Sequence, residues 1–172
     1  SSDYADIENA KKMALYSQAA AVIASKAGVD GMVGGQSLDV YLTDKPMDKE
    51  QLDYIFRLKT GALIEAAFMA GGILAGCDEK TQGLLCKAGY NVGFAFQIKD
   101  DILDVTSTQE VLGKPVLSDE RNNKTTYVTL YGLEKAEKDT YDMSKEAMGI
   151  IKSIGHNEYL EGLIDMLIHR NK

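Results

Sequence analysis

Apolar residues recur every three or four positions through most of this chain, and alternating β-branched runs are absent, so the pattern predicts an all-α protein. Ile7, Ala10, Ala14, Ala21 and Val22 mark a first helix that starts at a Ser2 or Asp3 cap and runs towards Gly28. A glycine-rich segment over 31–39 interrupts the pattern, and Pro46-Met47 marks a loop. Asp48 with Gln51 three residues on has the form of a capping box, opening a helix over 49–75 that Gly76 ends. Asp78 caps the next helix, over 79–105. Residues 106–124 read as a loop with one short turn around 109–112, because Gly113, Pro115, Ser118, Asp119 and two Asn are turn formers. Helical pattern returns over 125–131 and 133–153, stops at Gly155, and resumes behind an Asn157 cap as far as His169.

Sixteen glycines are many for a helical domain, since each costs a helix about 1 kcal/mol relative to alanine. Gly34, Gly35, Gly61, Gly71, Gly72, Gly89 and Gly93 are therefore expected where helices approach closely or a ligand needs room. In the 79–105 helix, Gly93, Gln97, Asp100 and Asp104 share one stripe, with Phe96 and Asp101 at its edges. Phe94, Ile98, Ile102 and Val105 form the adjacent apolar arc that would face a core. Carboxylates this close repel one another, so Asp100, Asp101 and Asp104 call for a cation. Oxygen donors without His or Cys suit a hard ion such as Mg²⁺, which keeps positions for water and phosphate. The plainer alternative is a solvated acidic face.

The cation is not a nucleic-acid companion. A net charge of −7 over 172 residues opposes any long phosphate track. With 45% hydrophobic and 26% charged residues, the chain has the make-up of one globular domain with a real core. Cys77 and Cys86 are too few for a disulfide framework and lack metal-ligand spacing, which reads as reduced core thiols in a cytoplasmic protein. The longest apolar run, 66–77, is too short to span a bilayer, and no signal-peptide pattern opens the chain. A start at Ser1-Ser2-Asp3 without Met reads as the interior of a larger protein or a trimmed chain.

Opposite charge follows the acidic helix. Lys114 and Lys124 flank the turn-rich segment that holds Asp119. As ordinary surface lysines they would mean little, but lysine is a point-charge partner for phosphate, and with a metal upstream they suggest a bound diphosphate. Lys59, in Lys59-Thr60-Gly61, lies mid-helix in a largely apolar stretch, where it must snorkel or find an anion.

Together these motifs resemble the trans-isoprenyl diphosphate synthases, the polyprenyl synthetase family. Phe96-Gln97-Ile98-Lys99-Asp100-Asp101-Ile102-Leu103-Asp104 is similar to the family's second aspartate-rich motif. Gly34-Gly35-Gln36 with Asp39, Lys59-Thr60-Gly61, Gly113-Lys114, Asp119 and Lys124-Thr125-Thr126-Tyr127 follow in the family's order and spacing. The ending, His169-Arg170-Asn171-Lys172, resembles that of bacterial farnesyl diphosphate synthases. The resemblance covers essentially the whole chain and implies an all-α bundle of the isoprenoid synthase type. It implies Mg²⁺ bridging an allylic diphosphate, ionisation of the C–O bond, and attack by isopentenyl diphosphate, with farnesyl or geranylgeranyl diphosphate as product. By the same carry-over Asp100, Asp101, Asp104 and Asp119 are metal residues, and Lys59, Lys114, Lys124 and Gln36 hold diphosphate. Thr60 and Gln97 lie near the developing cation; the plainer roles are a helix-backbone bond for Thr60 and a turn cap for Gln36. Phe68, Met69, Phe94 and Phe96 are expected in the core rather than along a prenyl tail.

The family's first aspartate-rich motif, DDxxD with its following Arg pair, is missing. Val128 stands where bacterial relatives often have Pro. The chain therefore reads as a C-terminal partial bundle, inactive by itself, with exposed apolar faces that favour a homodimer or self-association. The alternative is a non-catalytic synthase-like subunit that binds metal and diphosphate. A related terpene synthase fits less well, because its second motif is rich in Asn, Ser and Glu.

Overall fold

Eight α-helices and one π-helical turn, with no strand, make up the described residues of the computed structural model, 2–106 and 125–170. The helices are α1 Ser2–Ala27, α2 Met32–Tyr41, α3 Lys49–Ile55, α4 Ala62–Leu74 and α5 Glu79–Thr106. They continue as α6 Tyr127–Tyr131, α7 Leu133–Ile154 and α8 Glu158–His169, and the π-helical turn is Phe56–Gly61. Lys114, Asp119, Lys124 and the short turn expected at 109–112 lie outside the described residues.

Caps set most boundaries where the residues call for them. Asp48 Oδ1 accepts from Gln51 N at 2.9 Å while Gln51 Oε1 accepts from Asp48 N at 3.0 Å, which closes the capping box of α3. Asp78 Oδ1 accepts from Thr81 N, and Asn157 Oδ1 from Leu160 N, at the starts of α5 and α8. Gly76 takes φ +72° after α4, a conformation open to glycine.

Two elements depart from the expectation. Residues 32–41 are helical despite two internal glycines, because tertiary packing outweighs propensity there. A Cβ on Gly35 would lie 2.4 Å from Lys59 N, so the absent side chain is what lets α2 press on the π-helical turn. The helix expected over 49–75 is also not one α-helix, since Phe56–Gly61 widens to π geometry. Such turns insert one residue and re-aim the side chains that follow, and they occur often at functional sites.

α5 is the central element, packed against α4, α7 and the π-helical turn. Phe94, Ile98 and Ile102 of its predicted apolar arc are buried, but Val105 is exposed. Phe56, Phe94 and Tyr127 form an aromatic triangle with centroids 5.6, 6.1 and 6.2 Å apart, tying the π-helical turn, α5 and α6 into one core. A second core joins Val92 of α5 to Ile151 of α7 and Ile164 of α8. Phe94 and Phe68 pack with these cores as expected, whereas Phe96 and Met69 are only half-buried.

α1 docks on α4 through an ion pair between Lys26 and Glu65, whose residue is 3% exposed. Cys86 Sγ lies 3.8 Å from Glu65 Oε2, and burial, then the Glu65 charge, pushes the thiol's pKa up. Both cysteines are free and half-buried, rather than deep in the core. Lys26→Met strands a buried carboxylate and is expected to cost about 3 kcal/mol in urea unfolding. Lys26→Met/Glu65→Leu should recover at least half of that loss. Along α1, Ile7, Met13, Tyr16 and Ile23 are all exposed.

Candidate functional site

Glycine contacts bring the two halves of the site together. A Cβ on Gly89 would sit 2.8 Å from Glu65 Cα, and one on Gly93 would sit 2.7 Å from Gly61 Cα. α5 therefore runs antiparallel to α4 with backbones in near contact, and Gln97, one turn beyond Gly93, comes level with the π-helical turn. That turn carries Lys59 and Thr60, both half-buried. Lys59 Nζ lies 2.6 Å from Asp39 Oδ2 of α2, so the mid-helix lysine does find an anion, inside its own chain. The ammonium has three donors, so this pair leaves N–H groups for a phosphate oxygen. Gln36, one turn before Asp39 on α2, is exposed.

The three carboxylates of α5 have separate surroundings. The Asp100 side chain is 45% exposed. Its Oδ1 accepts from Arg170 and its Oδ2 lies 3.4 Å from Gln97 Nε2. Asp101 Oδ2 accepts from Tyr127 N at 2.6 Å and so holds the start of α6. Asp104 is 2% exposed. Among the described residues, no group of three or more His, Cys, Asp or Glu is placed to hold a metal ion. The physical reason lies in the helix. Neighbouring positions diverge by about 100°, so Asp101 points away from the stripe that Asp100 shares with Asp104.

α6 is fixed by its own capping box, in which Thr126 N donates to Thr129 Oγ1 at 2.8 Å. Tyr127 OH donates to Asp139 Oδ2 at 2.7 Å. Burial, then this bond, drives the phenol's pKa far up and keeps it a neutral donor. For Asp139, burial pushes the other way, but hydrogen bonds from Lys135 and Tyr127 outweigh it and hold the carboxyl below its usual range. A depressed carboxylate stabilises the fold above its unfolded pKa, and that contribution fades as pH falls through the folded value. The melting-temperature gap between the native chain and Asp139→Asn should thus be largest near pH 7 and shrink below about pH 4. A gap that widens on acidification would contradict the sign.

Arg170 is a site residue that periodicity and spacing could not assign. It meets Asp100 across 70 positions of sequence, and no local signal encodes a contact that distant.

The polyprenyl synthetase family model matches residues 1–164, and the chain belongs to that family. It is 40% identical over 156 residues to the farnesyl diphosphate synthase of Escherichia coli, covering 87% of this chain and 52% of that protein. It is 37% identical to the geranylgeranyl diphosphate synthase of Cyanophora paradoxa, over 88% of this chain and 51% of that one. Among solved structures, a Zymomonas mobilis FPP/GFPP synthase superposes with TM-score 0.75 at 27% identity, covering 89% of this chain and 51% of that one. A Helicobacter pylori geranyltransferase complexed with magnesium and isoprenyl diphosphate superposes with TM-score 0.71 at 29% identity, covering 90% and 50%. The all-α fold is that of these prenyl synthases. The chain spans about half the length of the curated relatives it matches.

Proposed function

We propose that this chain, over 1–172, is the C-terminal part of an isoprenyl diphosphate synthase that condenses isopentenyl diphosphate with an allylic diphosphate, making farnesyl or geranylgeranyl diphosphate. What supports the reading is the close crossing of Gly93 on Gly61, which brings Gln97 of α5 level with the turn bearing Lys59 and Thr60, with Asp100 about one turn further along α5. Carboxylate and lysine on facing elements form a two-sided holder for a metal diphosphate. The donor set fits Mg²⁺: it is oxygen-only, and Asp100 is open enough to share the ion with water and phosphate. Asp100 is the principal ligand in this reading, with Asp101, Asp104 and Asp119 completing the site partly through waters. Bound there, Mg²⁺ would withdraw charge from a departing diphosphate.

The chain's own groups do the rest. In this reading Lys59, Lys114, Lys124 and Gln36 hold diphosphate oxygens. Asp39 keeps the Lys59 ammonium aimed. Thr60 and Gln97 orient their polar atoms toward the reacting carbon. The buried Phe94 and Ile98 beneath keep water off one side. We place the protein in the cytoplasm on its two unpaired cysteines; among the described residues no helix is long and apolar enough to cross a membrane. The exposed apolar residues of α1 support self-association or a homodimer, and sedimentation of a stable monomer at high concentration would argue against it.

A second reading is a synthase-like subunit that binds metal and diphosphate without turnover; the DDxxD that this chain carries, Asp100 to Asp104, would serve either. The two separate on assay. The chain alone is expected to bind inorganic pyrophosphate only with Mg²⁺ and to turn over no dimethylallyl and isopentenyl diphosphate. Activity should appear when the missing half of a relative is supplied. Turnover by the chain alone would sink the incomplete-enzyme reading, and continued inactivity with a docked complement would favour the non-catalytic subunit.

A further inference from the structure

The end of α8 is held on the acidic helix by one arginine. Arg170 Nη2 donates to Phe96 O at 3.1 Å and to Asp100 Oδ1, and its guanidinium carbon lies 3.8 Å from the Phe96 ring centroid. Its side chain is 18% exposed, so the charge is largely withdrawn from water. We propose that Arg170 is the resident counter-charge of Asp100, which a divalent cation must displace, so that loading of Asp100 releases the last turn of α8 from α5. The inference rests on the reading of Asp100 as a metal ligand.

Charge and geometry support it. A guanidinium and a divalent ion on one partly shielded carboxylate are like charges a few ångströms apart, and such neighbours exclude one another. Gln97, on the other oxygen, is neutral and can stay. The hold on Arg170 is also incomplete, because its Nε is buried without a hydrogen-bond partner among the described residues, which weakens the docked state. Release need not unravel α8. Its first turn is fixed by the Asn157 cap and its middle by Ile164, 1% exposed in the second core. Only the terminal turn depends on the arginine.

The test uses the 172-residue chain, with Mn²⁺ binding followed by electron paramagnetic resonance and amide exchange followed over 165–170. Arg170→Gln should bind Mn²⁺ about 3- to 10-fold more tightly than the native chain, the size expected from removing a half-exposed ion pair. Arg170→Lys, which keeps the charge, should stay within about 2-fold of native. In the native chain Mn²⁺ should speed exchange over 165–170; in Arg170→Gln these amides should exchange fast with or without metal. Equal or weaker binding by Arg170→Gln, or exchange that ignores Mn²⁺, overturns the inference. If Asp100→Asn meanwhile abolishes binding, the metal reading still stands. Native-like binding by Asp100→Asn, or no binding by either the native chain or Arg170→Gln, removes both.

Discussion

Asp100→Asn is expected to weaken Mg²⁺-dependent pyrophosphate binding by on the order of 100-fold while leaving the fold nearly as stable as before. Loss of an outer-sphere partner alone costs a metal site about 10- to 100-fold, and a carboxylate that touches the ion should cost at least the upper end. Stability should barely move. The side chain is 45% exposed, so its pair with Arg170 is screened by solvent and contributes about 1 kcal/mol at most. The amide of Asn can still accept from the guanidinium. Titration calorimetry with pyrophosphate and Mg²⁺, beside a urea melt, separates the two effects. Unchanged binding would assign the acidic motif to the solvated face that it superficially resembles. Asp101→Asn should in addition cost stability, since its Oδ2 holds Tyr127 N at 2.6 Å.

Gly93→Val is expected to destabilise the fold by about 3 kcal/mol or more, at the upper end of overpacking costs. The first carbon of any side chain here would lie 2.7 Å from Gly61 Cα, a backbone atom that cannot step aside without moving the π-helical turn. Helix propensity alone predicts the reverse, because replacing a helical glycine usually gains several tenths of a kcal/mol. Gly149→Ala is the control. It lies in α7, where an added methyl group would meet nothing within 4 Å, and should gain about 0.5 kcal/mol. Thermal melts should place Gly93→Val roughly 6–12 °C below the native chain. A neutral Gly93→Val would mean that α5 and the turn can separate, and with them the Asp100 and Lys59 sides of the site.

Local chemistry made much of the chain legible. The boundaries at Asp48, Asp78, Asn157 and Gly155 follow from capping and from glycine, which act within a few residues. The buried arc of Phe94, Ile98 and Ile102 follows from a 3.6-residue period. Val105 departs from that arc: it stands one residue from the end of α5 and is exposed. The glycine-rich 31–39 segment misled for a different reason. Glycine weakens an isolated helix, yet at Gly35 it is the condition for packing on Lys59 N, and packing decided the outcome.

By itself, then, the sequence determined an all-α chain, the acidic stripe on α5 and the family to which its motifs belong, because caps, periods and motif spacing are encoded between neighbours. Only the tertiary structure decided what each motif residue touches. It paired Lys59 with Asp39, turned Asp101 to the start of α6, buried Asp104, and brought Arg170 onto Asp100. Those contacts join residues about 20 to 70 positions apart, and their partners are selected by how helices cross at Gly61 and Gly93 rather than by any pattern along the chain.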